Sequence, residues 1–402
     1  MPSQENYAIR PLNTGDVEQY NALLRYAFQI TEQELSECGW QDDEIKQSKF
    51  PVLERADVLG CFDGNDLVSQ IAVYPLKMNI YGVVYPVGFV TSVCTYPEYS
   101  GRGIMKRLMH QSLEHMRQRQ QPVALLFPYS IPLYRKMGWE IISNKISYTV
   151  KDRQIPSQLQ APGRVHRVNW DNEDFRNLHA QFAAATHGCL FRNALAWEEY
   201  WRWDEDDTVV AIYYDAAGKP SGYMVYLIKD DIMYVKEMIY LTREAQQGLW
   251  EYIHAHDSMI DEVRGSSYYS DPIAFELDDG DIRETIRPYI MGRIVDAEQF
   301  FPKYRCDPTA ENVTIAFEIE DHFLPWNNKT VTVLFHRGEC SLSAAAAKHH
   351  VKLSIATLTA LMLGYKTAAK LQRLGRIEGE ERTVRLLDDV LLHETPYISD
   401  YI

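Results

Sequence analysis

The sequence has no CxxC pair. Its six cysteines, Cys38, Cys61, Cys94, Cys189, Cys306 and Cys340, are scattered over 402 residues. That spacing excludes a disulfide framework and a cysteine zinc site, and points to reduced thiols in a cytoplasmic protein. No uncharged apolar run reaches the ~18 residues of a membrane-spanning helix, so no membrane partner is expected. Met1–Arg10 holds no apolar core of signal-peptide length. Low-complexity tracts and long linkers are missing as well. Positive charge is in deficit: Lys plus Arg number 41 against 56 Asp plus Glu, a net charge of −15. Such a surface repels nucleic acid and draws cationic substrates weakly.

Apolar residues make up 46% and charged residues 24%, the balance of a folded chain. The length predicts two or three packed domains. In residues 1–150 a strand-like piece, Tyr7–Arg10, precedes apolar positions at helical spacing: Val17, Tyr20, Leu23, Leu24 and Phe28. Alternation over Asp57–Phe62, a turn at Asp63–Asp66 and a return over Leu67–Val73 read as a hairpin. An apolar run, Val83–Thr95, follows. Next comes a helical period, Ile104, Met105, Leu108, Met109, Leu113 and Met116, and then a short strand, Val123–Phe127. Residues 151–288 repeat this grammar with strands at Val209–Tyr214, Gly222–Ile228 and Ile232–Tyr240 and a helix at Arg243–His256. We read a degenerate internal repeat, alike in pattern and not in residues. Residues 289–402 alternate at Val313–Ile319 and Thr330–Phe335, with Ser341–Ala347 as a further candidate strand, and have one helical period over Ser354–Leu371. The expected fold class is α+β, with mixed α/β sheets.

One stretch carries chemistry: Val93-Cys-Thr-Tyr-Pro-Glu-Tyr-Ser-Gly-Arg-Gly-Ile-Met-Lys-Arg-Leu-Met109. It runs from an apolar strand through a basic glycine loop into an amphipathic helix. A helix N-terminus offers free N–H groups and partial positive charge. Gly101 and Gly103 let backbone approach a ligand, and Arg102, Lys106 and Arg107 concentrate positive charge in an acidic chain. A pyrophosphate is the natural occupant. Downstream lies Leu125-Leu-Phe-Pro-Tyr-Ser-Ile-Pro-Leu-Tyr-Arg-Lys-Met-Gly-Trp139.

These two strings resemble the acetyl-CoA loop and the YxxxGF element of the GCN5-related N-acetyltransferases, the GNAT superfamily. Ser100 stands where that family usually has Gln or Arg, and Met105 where it has Gly or Ala. The larger residue at Met105 resembles the enhanced-intracellular-survival (Eis) type. That type joins an active GNAT domain, a second GNAT domain without a cofactor loop, and a sterol-carrier-like domain. The second segment fits, since Tyr240-Leu-Thr-Arg-Glu-Ala-Gln-Gln-Gly248 replaces the glycine loop. So does the third, with Met291-Gly-Arg-Ile-Val-Asp296, Leu324-Pro-Trp-Asn327 and Leu361-Met-Leu-Gly-Tyr365.

The resemblance implies an N-acetyltransferase with acetyl-CoA as co-substrate and no metal, acting by direct transfer to a primary amine. The acceptor would be aminoglycoside-like, a polyamine or a lysine. It also implies a homo-oligomer, in this type a hexamer. By resemblance, Val93, Cys94 and Thr95 meet the pantetheine arm, Gly101, Arg102, Gly103, Ile104, Met105 and Lys106 hold the pyrophosphate, and Tyr129 and Ser130 border the cofactor. Tyr134 would be the general acid for the leaving thiolate. The chain's own terminal carboxylate, at Ile402, would enter the first active site, although the family usually ends in Phe. A second reading is a non-catalytic protein that binds CoA as a regulator and lipid in the third domain.

Other constellations are weaker. His254 and His256, and the adjacent His349 and His350, point to different sides of their elements and make awkward metal ligands. Cys94 has no indicated base partner, so packing is the simpler role. Asp204–Asp207 and Glu276–Asp281 read as solvated acidic runs. Trp40, Asp42 and Asp43 are candidates for the acceptor side.

Overall fold

The computed structural model describes residues 7–402 apart from 38, 158, 205, 206, 270 and 271. Cys38, Glu205 and Asp206 lie outside the described residues, as do Met1–Asn6. The first part of the chain forms β1 (Ala8–Pro11), β2 (Asp57–Asp63), β3 (Asp66–Ile80), β4 (Val83–Thr95), β5 (Val123–Leu126) and β6 (Glu140–Ile141). The second forms β7 (Asn144–Lys151), β8 (Arg164–Val168), β9 (Leu190–Phe191), β10 (Val209–Tyr214), β11 (Pro220–Lys229), β12 (Ile232–Tyr240), β13 (Glu262–Ser267) and β14 (Arg283–Pro288). Last come β15 (Met291–Ile294), β16 (Val313–Glu320), β17 (Thr330–His336), β18 (Glu339–Leu342), β19 (His349–Ser354) and β20 (Ile377–Gly379).

These strands build three mixed sheets. The first has the order β1-β2-β3-β4-β5-β15-β6, with β9 paired to β3. The second runs β14-β7-β13-β12-β11-β10-β8, and the third β18-β17-β16-β19-β20. The divisions expected after residues 150 and 288 do not separate the sheets. β7 pairs with β13 and β14 in the second sheet, while β15 returns to lie between β5 and β6 in the first. Strand exchange of this kind depends on pairing partners more than a hundred residues away, which no local pattern encodes.

The internal repeat is real in topology. β2, β3, β4, the helix Ile104–Gln118 and β5 recur as β10, β11, β12, the helix Arg243–His254 and β13. In each copy the last two strands are parallel: β4 with β5, and β12 with β13. The helix Ile104–Gln118 buries Ile104, Leu108, Met109, Leu113 and Met116, the stripe expected from its spacing.

Two glycines mark where packing overrides the pattern. Gly138 has φ +80°, and a Cβ there would lie 1.7 Å from the guanidinium of the wholly buried Arg293 on β15. That guanidinium donates to the Met137 carbonyl and to the Asp321 carboxylate, at 2.5 Å for the latter, and so ties the first sheet to the third. The single helix expected over Ser354–Leu371 is instead two, Ile355–Met362 and Ala368–Arg373. Gly364, at φ +75°, turns the chain between them, and a Cβ there would strike the Glu394 carbonyl at 2.2 Å. Thr367 restarts the helix by accepting from the Lys370 N–H.

Candidate active site

β3 and β4 pair without interruption up to Ala72↔Thr91, and the register then slips so that Gln70 faces Cys94. The extra residue lies at Ser92–Val93, and Ser92 takes φ +55°, the left-handed region that a non-glycine residue enters only when its surroundings hold it there. Those surroundings are visible. Tyr20 and Ser92 share a hydrogen bond of 3.1 Å, and the Cys94 Sγ donates to the Ser92 carbonyl at 3.4 Å. On its other edge β4 pairs with β5 only from Val87↔Val123 to Val90↔Leu126. Beyond that point the two parallel strands part, and an opening separates Thr91–Thr95 from the segment after Leu126.

β4 leads into the glycine loop. Gly101 and Gly103 both have φ +76°, and a Cβ on either would meet no atom within 4 Å. Backbone conformation, not crowding, therefore calls for glycine there. Gly103 is the N-cap of the helix Ile104–Gln118, and no side chain caps it. The first intrahelical bond is from the Arg107 N–H to the Gly103 carbonyl at 3.1 Å, so the preceding N–H groups are left to a ligand or water. Arg102 is braced by the Tyr7 hydroxyl and the Glu98 carbonyl, and Arg107 by the Tyr7 carbonyl. Lys106 lies over the Phe323 ring of the third sheet's domain, 5.9 Å from its centroid. Ile104 is buried and Met105 half-buried. Gly103→Val is expected to cost about 1–2 kcal/mol through the left-handed penalty alone. Thermal denaturation reads this, and an unchanged Tm would remove the conformational argument.

Val93, Cys94 and Thr95 lie on the β4 arm of the opening. Thr95 Oγ1 shares a 2.6 Å hydrogen bond with Ser69 Oγ, which also donates to the Cys94 carbonyl. Burial pushes the Cys94 thiol well up, away from thiolate, in keeping with a packing role for its side chain. On the other arm Tyr129 is 96% exposed and Ser130 opens the short helix Ile131–Arg135. Tyr134 lies within that helix, one residue before its end. It is buried, its ring meets Trp139 edge-on at 6.2 Å, and burial pushes its hydroxyl up to about 12. Among the described residues the Tyr134 hydroxyl makes no hydrogen bond.

The C-terminal segment crosses from the third domain to both GNAT-like sheets. The Tyr397 N–H donates to the His187 carbonyl, and the Tyr81 hydroxyl to the Leu392 carbonyl. Arg192, with no exposed side-chain surface, donates to Asp400 at 2.6 Å and to both oxygens of Glu237 at 3.1 and 2.7 Å. Tyr223 and Ser399 donate to the same Glu237, each at 2.8 Å. These bonds deliver Tyr401 and Ile402 to a cavity of about 490 Å³ whose walls include Tyr20, Lys49, Tyr74, Thr91 and Ser92. Ile402 thus shares a cavity with Thr91 and Ser92 of β4. Tyr129, Ser130 and Tyr134 do not line that cavity.

A second cavity, of about 730 Å³, shares Glu199, Trp203 and Tyr401 with the first and extends over the second sheet. Trp40 donates to the Arg202 carbonyl and Asp43 pairs with Lys46, and neither of these two lines the cavities; the side chain of the third candidate, Asp42, lies outside the described ones. From the same helical region Glu34, Ile45 and Lys49 do. Lys49, Lys145, Glu199, Lys236 and Arg287 carried no motif that singled them out. Among the described residues no group of three or more His, Cys, Asp or Glu side chains could hold a metal ion. No helix among them is long and apolar enough to cross a membrane.

Comparison with known proteins matches three parts of the chain to known domains. Residues 8–142 match an acetyltransferase (GNAT) domain, residues 188–294 a second acetyltransferase (GNAT) domain, and residues 297–399 a sterol carrier protein domain. An uncharacterized N-acetyltransferase of Streptomyces avermitilis is 23% identical over 429 residues, spanning 100% of both chains. A conserved Enterococcus faecalis V583 protein of unknown function superposes with a TM-score of 0.91 at 26% identity, covering 99% of this chain and 100% of that one. Eis1 from Mycobacterium abscessus superposes with a TM-score of 0.82 at 19% identity, covering 98% and 100%, and that likeness speaks for the fold.

Proposed function

The chain belongs to the GNAT N-acetyltransferases, in the Eis-type form of two GNAT domains and a sterol carrier domain, and from that premise we propose that its first domain moves acetyl from acetyl-CoA directly to a primary amine. The observation that carries the reading is a continuous one. β4 bulges at Ser92, parts from β5 after Val90, and runs into a glycine loop whose helix N-terminus no side chain caps. An open N-terminus with space above both glycines fits a pyrophosphate, and parted strands fit a thioester arm. Gly101–Lys106 would hold the pyrophosphate, and Val93, Cys94 and Thr95 would offer backbone to the arm, with Tyr129 and Ser130 bordering it. In the second domain Thr242 accepts from the Ala245 N–H and caps its own helix, which argues against a second cofactor site.

In the reaction a neutral amine attacks the thioester carbonyl. The carbonyl oxygen gains charge, which a free backbone N–H near the bulge would stabilise. The C–N bond forms, the C–S bond breaks, and the departing sulfur takes the Tyr134 proton. The proton lost by nitrogen goes to the carboxylate at Ile402, a role supported by the place of Ile402 in the cavity that Thr91 and Ser92 also line. The acceptors suggested by sequence divide in two. The charged groups of aminoglycoside-like compounds and polyamines are all positive, whereas lysine-type amines can carry a carboxylate as well. The assembly carried over from the resemblance is a homo-oligomer.

The test is thiol release from acetyl-CoA by untagged protein with a panel of amines. Amine-dependent release is expected, and silence with acetyl-CoA still bound would overturn direct transfer. Residues appended after Ile402 are expected to lower kcat at least tenfold without changing acetyl-CoA affinity. Full activity in an extended chain would remove the carboxylate role.

A further inference from the structure

The second sheet repeats the opening of the first. β12 and β13 pair in parallel only from Ile232↔Glu262 to Val235↔Gly265, and β12 slips register against β11 so that Val225 faces Glu237 and Tyr226 faces Val235. The extra residue of β12 is Lys236, as Ser92–Val93 is the irregular point of β4. With its helix N-terminus capped by Thr242, this second opening has no anion cradle at its head. It is nevertheless hollow: the 730 Å³ cavity lies against Val235, Lys236, Glu237 and Ser266 and adjoins the cavity at the bulge of the first sheet, the two sharing Glu199, Trp203 and Tyr401 as wall.

The charges in the walls of the larger cavity do not balance. Glu237 is taken by Arg192, and Glu199 by Arg202 at 2.8 Å, with the Tyr74 hydroxyl donating to it as well. Lys236 is taken by Asp204. Lys145 on β7 and Arg287 on β14 line the large cavity with no described carboxylate in ion-pair distance. Lys145 sits 5.9 and 5.8 Å from the ring centroids of Tyr268 and Tyr289, and burial lowers its basicity. Lys49 lines the smaller cavity together with Glu34, Glu199 and the chain terminus at Ile402; among the described residues it makes no ion pair there, and burial pulls it down to about 8. Lys145 and Lys49 are left partly desolvated, a cost that a bound anion would recover, while Arg287 is exposed at the mouth of the larger cavity. They repel a polycation. At 4 Å a like-charge pair costs about 1 kcal/mol in water and ~4 kcal/mol near a protein surface. The acidic surface outside and the basic lining inside therefore make different demands.

We propose that the acceptor carries an oxyanion, a carboxylate or phosphate, at the end remote from its reacting amine, and that Lys145 and Arg287 of the second domain bind that group while the amine reaches the bulge at Ser92. Arg287 offers a planar fork for two oxygens and Lys145 a point charge. The degenerate GNAT copy then serves as a specificity pocket built in the opening its active twin uses for chemistry. This rests on the amine-acceptor reading above.

The test uses four amines of matched chain length: 6-aminohexanoate, 6-aminohexyl phosphate, 6-aminohexanamide and 1,6-diaminohexane. Binding is read by calorimetry and transfer by thiol release. Both oxyanionic amines, or one of them, are expected to bind at least tenfold more tightly than the amide and the diamine, and which one does so identifies the oxyanion. In the double variant Lys145→Gln, Arg287→Gln that ratio is expected to fall to within twofold of one. Equal or tighter binding of the diamine overturns the proposal, as does an unchanged ratio in the variant or no binding by any of the four. Oxyanion preference in binding without thiol release would keep this inference and sink the transferase reading. Release with diamine preference would do the reverse.

Discussion

Arg192→Met is expected to lower stability by about 3–5 kcal/mol, the usual cost of removing one partner from a buried ionic cluster. The guanidinium has no exposed surface and is the charge partner of two carboxylates that also have almost none, Glu237 and Asp400. It further lies over the rings of Trp197 and Tyr200, 4.8 and 4.1 Å from their centroids. Methionine fills much of the volume and supplies no charge, so two carboxylates would face each other in the interior. The pH dependence follows from their opposite shifts. Arg192 and the Tyr223 hydroxyl overcome burial and hold Glu237 down to about 2. Its contribution is thus present above the ordinary glutamate value and is lost as pH falls from there toward 2. Asp400 is pushed up, first by burial and also by the charge of Glu237, and it takes a proton before Glu237 does. Without Arg192 both carboxylates rise, so the deficit of the variant should be largest near pH 8 and shrink on acidification. Thermal denaturation from pH 5 to 8 measures it. A Tm equal to the parent's at pH 8 would show the cluster to be energetically idle. Glu237→Gln and Asp400→Asn, added together to the variant, should recover most of the loss. Arg192 is a positioning residue, so kcat should fall with the tail and return only where the tail re-docks.

That cluster could not be read from the chain in advance. Its members lie at positions 192, 237 and 400, each in an unremarkable local context, and only the fold brings them together. The same holds for Lys145 and Arg287, which share a cavity because β7 and β14 pair in a sheet that begins elsewhere. What was legible is local. The turn at Asp63–Asp66, the apolar stripe of the helix Ile104–Gln118 and the left-handed glycines of its loop each follow from a few adjacent residues. The Ser92 bulge has no signature, because a left-handed serine is held by Tyr20 and Cys94 around it and not by its own preference. The expectation that Ile402 returns to the first domain came from resemblance alone; its immediate neighbours encode no destination. Trp40 is a candidate for its place between the first helices, on the acceptor side of the fold resembled, yet its indole donates to a backbone carbonyl, while the plainer Lys49 faces the cavity.

Tyr134→Phe is expected to lower kcat about 10²-fold, the lower end for a lost proton donor, and to leave acetyl-CoA affinity within twofold. The substitution is well suited to isolate the proton. The ring sits edge-on to Trp139 and the backbone N–H of Tyr134 closes the turn to Ser130; phenylalanine keeps both. Because the hydroxyl has no partner among the described residues, removing it orphans no buried group, and stability should hold or rise slightly. With its pKa raised to about 12 by burial, Tyr134 is protonated across the working pH range and is a donor rather than a base. The parent's rate should therefore rise with pH as the acceptor amine loses its proton, with no fall from Tyr134 below about pH 11. The variant should keep that rising limb at a lower plateau, since the amine's deprotonation is untouched. A parallel loss of acetyl-CoA binding would make Tyr134 a packing residue. A loss confined to kcat, with the pH profile displaced only downward, is what a missing proton at the leaving sulfur produces and what a packing defect does not.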